Sequence, residues 1–226
     1  MTLVLEARSL EKHFGPTRAL RGLDIKIDAG EIVAIMGPSG SGKSTLLHCL
    51  AGVLAPDAGQ VLFSGRDIGA LGEAERSRLR LNRFGFVFQF GQLLPELTAL
   101  DNVSLPLLLA GQGRKAARRI AMDWLERLGI GDQAQKRPAT LSGGQSQRVA
   151  VARALAIHPE VLFADEPTGS LDSLAAEATM TLIRDQVQAA GTTLILVTHD
   201  PRAAAYADRE VIIRDGRTSL DSRVAA

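Results

Sequence analysis

Residues 31–51 read EIVAIMGPSGSGKSTLLHCLA, and the changes of character inside that stretch decide the fold. Residues 31–36 are short and almost wholly apolar, the pattern of a strand buried on both faces. The run stops at Gly37, and Gly37-Pro38-Ser39-Gly40-Ser41-Gly42-Lys43-Ser44-Thr45 has the spacing G-x-x-x-x-G-K-[ST]. A helical pattern over 43–51 follows. Glycines let consecutive N–H groups turn toward one anion, and a helix N-terminus adds partial positive charge. Lys43 supplies a point charge, and Ser44 offers a hydroxyl to Mg²⁺. The stretch predicts a phosphate site of a kind that many fold families share.

Working outward, residues 3–14 and 19–27 read as two antiparallel strands turned at Gly15-Pro16, with a second turn at Asp28-Ala29-Gly30. Strands are expected over 60–63 and 84–88, separated by an Arg-rich helical stretch over 73–83. From 89 to 159 the strand signal gives way to helical spacing. Ala117, Ile120, Ala121, Trp124, Leu125 and Leu128 make one apolar helix face. Strands then return at 161–164, 193–198 and 211–213, with a helix over 173–190 and a short one near Ala203. The pattern predicts a mostly parallel α/β core behind an N-terminal antiparallel β layer, with a helical subdomain inserted in its middle. Residues 1–226 are expected to form one domain, with 1–88 and 160–226 as β layer and core and 89–159 as the insert.

The 226 residues carry 46% hydrophobic side chains and 26 basic against 25 acidic groups. That suffices for a substantial core and excludes disordered and fibrous chains. The charge balance is too even for the whole surface to attract nucleic acid, so partners are expected at local sites. The longest apolar runs, 105–110 and 193–198, fall far short of the roughly 18 to 20 residues of a membrane helix. Glu6 and Glu11 stand where a secretory signal would be basic, then apolar, and the single Cys49 has no internal partner; a cytosolic address is expected.

Two further stretches carry chemistry. Residues 161–166 form an apolar strand ending in Asp165 and Glu166. At a parallel strand tip beside a phosphate loop, the first carboxylate can hold Mg²⁺ and the second can reach an attacking water. Leu141-Ser142-Gly143-Gly144-Gln145 precedes a helix predicted over 145–157, and Ser142 and Gln145 have the spacing of a capping box. The same stretch reads equally as a second anion site, because a serine and two glycines at a helix N-terminus expose N–H groups and a hydroxyl. The two readings are compatible. His13, His48 and His158 lack ligand spacing. Trp124 reads as helical core, and the basic sets Arg114, Lys115, Arg118, Arg119 and Arg76, Arg78, Arg80, Arg83 read as solvated helix faces.

In combination these motifs resemble the ATP-binding-cassette (ABC) ATPases. In family order the chain has the phosphate loop 37–45, Gln89 after a strand, the signature 141–145, Asp165-Glu166, Ser170-Leu171-Asp172, and His199 after a strand. The resemblance implies a P-loop NTPase core of the RecA-like type. It also implies two subunits packed head to tail, each ATP lying between one phosphate loop and the other copy's signature. Carried over, Phe14 stacks on adenine, with plain core packing as the other reading. Gly37, Pro38, Ser39, Gly40, Ser41, Gly42, Lys43 and Thr45 hold phosphates. Ser44, Gln89 and Asp165 surround Mg²⁺, Glu166 is the general base and His199 contacts the γ-phosphate. Ser142, Gly143, Gly144 and Gln145 complete the site in the second copy, and Asp172 couples the two sites.

Phe88-Gln89 with residues 93–103, and 164–173, look like the branch of lipoprotein-releasing, macrolide-exporting, haem-exporting and cell-division ATPases. That likeness implies a separate permease, in two copies, which has a large extracytoplasmic domain and whose cytoplasmic helix docks at 89–97. It places the chain on the cytoplasmic face of a bacterial inner membrane, driving export, extrusion or extraction. Two other readings stay open: a regulatory ATPase that signals through a permease-like partner, and a soluble ABC protein acting in translation or DNA repair.

Overall fold

In the computed structural model, which describes residues 2–223, the chain forms two units: Met1–Arg80 with Gly191–Ala226, and Leu81–Ala190. The first opens with β1 (Leu3–Phe14), β2 (Thr17–Asp28), β3 (Ile32–Met36), α1 (Lys43–Leu50), β4 (Ala58–Phe63), β5 (Arg66–Asp67) and α2 (Glu73–Arg83), whose last turn enters the second. There follow β6 (Phe84–Phe88), α3 (Ala99–Leu109), α4 (Arg114–Arg127), α5 (Gly143–Leu155), β7 (Val161–Asp165) and α6 (Ser173–Ala190). The chain returns to the first unit with β8 (Thr193–Val197), α7 (Pro201–Ala204), β9 (Arg209–Arg214) and β10 (Arg217–Arg223).

In the first unit Phe14 faces Thr17 across Gly15-Pro16, as the turn signal requires, and β4 and β5 extend the hairpin into an antiparallel sheet, β2-β1-β4-β5. Leu5, Leu10, Leu20, Leu23, Ile25 and Ile27 bury its inner face. The other strands run in the order β10-β9-β3-β8, with β3 parallel to both neighbours. Ile32 to Ile35 are fully buried, which explains why the run is apolar at every position. On α1, Cys49 is 1% exposed, and burial pushes its thiol up to about 11.

No residue of the Arg-rich helix α2 is buried, and two of its arginines are engaged. Arg76 and Arg80 are folded onto Glu73, with guanidinium–carboxylate distances of 2.7 and 2.6 Å, and Arg80 also donates to the Gly52 carbonyl at 2.7 Å. A count of charges cannot show that an acid meets bases one and two turns along the same helix. The two guanidiniums and the Ser77 hydroxyl hold the Glu73 carboxyl down at about 2.

In the second unit β6 lies parallel to β7, and Phe84, Phe86 and Phe163 interlock, with ring centroids 5.2 and 5.5 Å apart. On α4 the predicted apolar face is buried at Ala117, Ala121, Trp124 and Leu125. The expected helical segment 89–159 lies wholly within this unit. No helix among the described residues is long and apolar enough to cross a membrane.

Candidate active site

Strand β3 delivers the chain into the phosphate loop. Gly37 has φ +149° and Gly42 φ +106°, conformations that L side chains rarely adopt. Space is closed as well: a Cβ on Gly37 would stand 2.1 Å from the Ile213 carbonyl oxygen, and one on Gly42 would stand 2.4 Å from that of Ala19. The motif glycines are therefore fixed by packing as much as by backbone freedom.

Gly42, which has no side chain, caps α1, so the N-cap residue itself puts nothing over the positive end of the helix. Lys43 is 9% exposed, and its Nζ donates to the carbonyls of Gly37 and Pro38 at 2.8 and 2.9 Å. The Ser41 hydroxyl is buried with no hydrogen-bond partner among the described residues. An uncapped helix start, a cation bent back over the loop and an unsatisfied hydroxyl suit a polyphosphate ligand. His199 belongs to the same unit. Ile35 of β3 pairs with Val197 of β8, so Gly37 and His199 leave parallel strands at the same level. Phe14, at the hairpin tip, is 50% exposed, which excludes the core reading; the Lys12 ammonium lies 5.8 Å from its ring centroid.

The second unit repeats this arrangement with acids. Phe88 of β6 pairs with Asp165 of β7, which puts Gln89 and Glu166 side by side at the strand ends. Glu166 has φ +48°, strained for a non-glycine residue and of the kind that collects at functional sites. A Cβ on Gly169 would stand 2.8 Å from Gln89 Nε2, and Ser170 Oγ donates to the Gln89 carbonyl at 2.8 Å. Residues 169–170 thus hold Gln89 directly.

At the start of α5 the capping box is present in full. Ser142 Oγ accepts from the Gln145 N–H at 3.2 Å, and Gln145 Oε1 accepts from the Ser142 N–H at 3.0 Å. The helix starts two residues earlier than its sequence pattern suggests, because the cap sits at Ser142 and Gly143 already turns helically. Ser142 and Gly143 stay exposed, so capping leaves this end free to meet a ligand. Asp172 Oδ1 accepts from the Ala175 N–H at 2.9 Å, which gives it a role in starting α6.

Sequence reasoning missed three side chains that shape this half, Asn102, Gln147 and Arg153, and gave Ser170 a place in a motif but no role of its own. Asn102, fully buried, accepts from the Leu94 N–H at 2.8 Å and donates to the carbonyls of Leu94 and Thr98. Gln147, Arg153 and Ser170 bond the backbone around Gln89. For Asn102, Gln147 and Arg153 the only sequence signal was a polar residue within a helical stretch.

Loop, capped helix and strand-end acids together define a class: an ATP-binding, ATP-hydrolysing protein of the P-loop type. The pattern of the ABC transporter family matches residues 20–169, and the chain belongs to that family. It is 45% identical to the lipoprotein-releasing system ATP-binding protein LolD 2 of Caulobacter vibrioides, over 96% of this chain and 97% of that protein. It is 46% identical to the macrolide export ATP-binding/permease protein MacB of Marinobacter nauticus, over 97% of this chain but 34% of that longer protein. Among solved structures, a dimeric ATP-binding cassette in a post-hydrolysis state with ADP and Pi matches with a TM-score of 0.90 at 36% identity. That match covers 98% of this chain and 99% of the other.

Proposed function

We propose that this chain is the ATPase subunit of a lipoprotein-releasing or closely related extraction system. It acts as a head-to-tail homodimer on the cytoplasmic face of a bacterial inner membrane, and it drives two copies of a separate permease. The observation that carries this reading is the end-to-end match to a lipoprotein-releasing ATP-binding protein by a chain that has every motif of the hydrolytic site.

In this reading Phe14 stacks on adenine, and the 37–45 loop with Lys43 and Thr45 holds the phosphates. Ser44, Gln89 and Asp165 offer only oxygen donors, the set that suits Mg²⁺; they would hold the ion, which neutralises charge on the phosphate oxygens. Glu166 polarises the attacking water and His199 meets the γ-phosphate. Ser142, Gly143, Gly144 and Gln145 of a second copy close over the nucleotide, and Asp172 links the two sites. Charge developing on the transferred phosphoryl group needs all these donors at once, so hydrolysis waits for closure.

Glu166→Gln tests the mechanism. It should leave ATP binding intact, lower turnover by at least about a hundredfold and accumulate an ATP-dependent dimer on size exclusion. Retained turnover would remove Glu166 as the general base.

A further inference from the structure

The loop that carries Gln89 is irregular, and its own backbone supplies only short turns. Gly91 N–H returns to the Phe88 carbonyl at 3.0 Å, and Gln92, at φ +45°, returns to that of Phe90 at 2.7 Å. The remaining contacts come from outside. Gln147 Nε2 donates to the Phe88 carbonyl at 3.1 Å. Arg153 spreads its guanidinium over two consecutive carbonyls, Nη2 to Gly91 and Nη1 to Gln92, both at 2.8 Å. Gln147, Ala150 and Arg153 follow at three-residue spacing and form one stripe of α5. Gly91 lies on that stripe, where a Cβ would stand 3.4 Å from the Ser146 carbonyl oxygen and 3.5 Å from Ala150 Cβ.

Two carbonyls taken by one planar fork fix direction as well as distance, which a single ammonium cannot do. Arg153 is half-buried and burial draws its pKa below the usual arginine value, yet among the described residues it bonds the two carbonyls and no acid. A cation set there with no acidic partner among the described residues is poor for stability alone.

We propose that Arg153 is a positioning residue for the reaction: its grip on Gly91 and Gln92 makes the loop follow helix α5, so that the helix headed by Ser142 sets where Gln89 stands. The inference rests on the proposed role of Gln89 at the metal and adds the device that places it. Its consequence is mechanical. Whatever a second copy does to the head of α5 then reaches the Gln89 loop along one helix, through Arg153 with Gln147 beside it, while Ser170 holds the Gln89 carbonyl from the other side.

The test compares Arg153→Met, which keeps the apolar stem, Arg153→Lys, Gln89→Ala, the double variant Gln89→Ala/Arg153→Met, and a control. The control is Arg148→Met, on the same helix, which removes a 3.3 Å bond to the Leu128 carbonyl away from the loop. ATP turnover of the whole chain is measured against Mg²⁺ concentration at saturating ATP, with thermal melts alongside. Arg153→Met should lower kcat and raise the Mg²⁺ concentration for half-maximal rate about tenfold, with KM for ATP changed less than about twofold. Arg153→Lys should restore part of the effect, and the double variant should be no worse than Gln89→Ala. Arg148→Met should lower the melting temperature alone. A shift in Gln89→Ala with none in Arg153→Met overturns the proposal and leaves the role of Gln89 standing. No shift in Gln89→Ala removes that role, and the proposal with it.

Discussion

At the scale of single residues, two glycines make opposite predictions. Gly37→Ala would drive a Cβ to 2.1 Å from a backbone oxygen, in a conformation alanine does not share, so the loop must move or the strand must break. A loss of about 3 kcal/mol or more is expected, read as a collapsed melting temperature and failed nucleotide binding. At Gly169 the neighbour is the far end of the Gln89 side chain, at 2.8 Å, which can swing away. Gly169→Ala should therefore change stability by less than about 1 kcal/mol while turnover falls, because the displaced group is the amide itself. A melt and an ATPase assay on the same preparations separate the two. Glycines 37 and 169 look alike in sequence; what differs is whether backbone or side chain stands opposite.

At the scale of elements, the cap of α5 carries the reading that sequence left open. Ser142→Ala removes the bond to the Gln145 N–H and should cost about 1 kcal/mol in chemical denaturation. Ser142→Asn restores a good cap, so stability should return; turnover should not, if the serine hydroxyl itself meets nucleotide. On α2 the depressed Glu73 fixes a pH dependence. Its folded value of about 2 lies below the ordinary 4.5, so its pairing stabilises the fold above about pH 4.5 and is lost as the pH falls toward 2. Glu73→Gln should be less stable than the parent at pH 7 and equal to it near pH 2, in paired thermal melts. Much at this scale was legible. The phosphate loop, the acid-tipped strand and the capped helix are local patterns, each complete within a dozen residues. Illegible were contacts set by three-dimensional approach: the two-residue strand β5, the closing strand β10, the Arg-on-Glu packing of α2, and the side chains from α5 that hold the loop after β6. No period or spacing announces that Arg153 lies beside Gly91.

At the scale of the molecule, the proposal makes each site of the dimer a product of two chains. Lys43→Ala spoils a copy's phosphate loop and Ser142→Arg spoils its signature, so each variant alone should be inactive. Mixed in equal amounts, they should recover activity, because a mixed dimer then holds one site with both halves intact. With random exchange half the dimers are mixed, so about a quarter of the parent rate is expected. An arrangement in which each nucleotide met loop and signature of the same copy would give no recovery, and the mixing curve decides between them.

The deep burial of Cys49 has a practical side. A thiol held at about 11, with 1% of its surface open, stays protonated at neutral pH and out of reach of maleimides and oxidants. The protein therefore comes almost blank for chemistry on sulfur. Cysteines introduced on exposed positions would accept dyes, spin labels or crosslinkers cleanly, with no native thiol to delete first. Distances between two such labels, followed through a round of ATP binding and hydrolysis, would give the motions of the cassette a ruler.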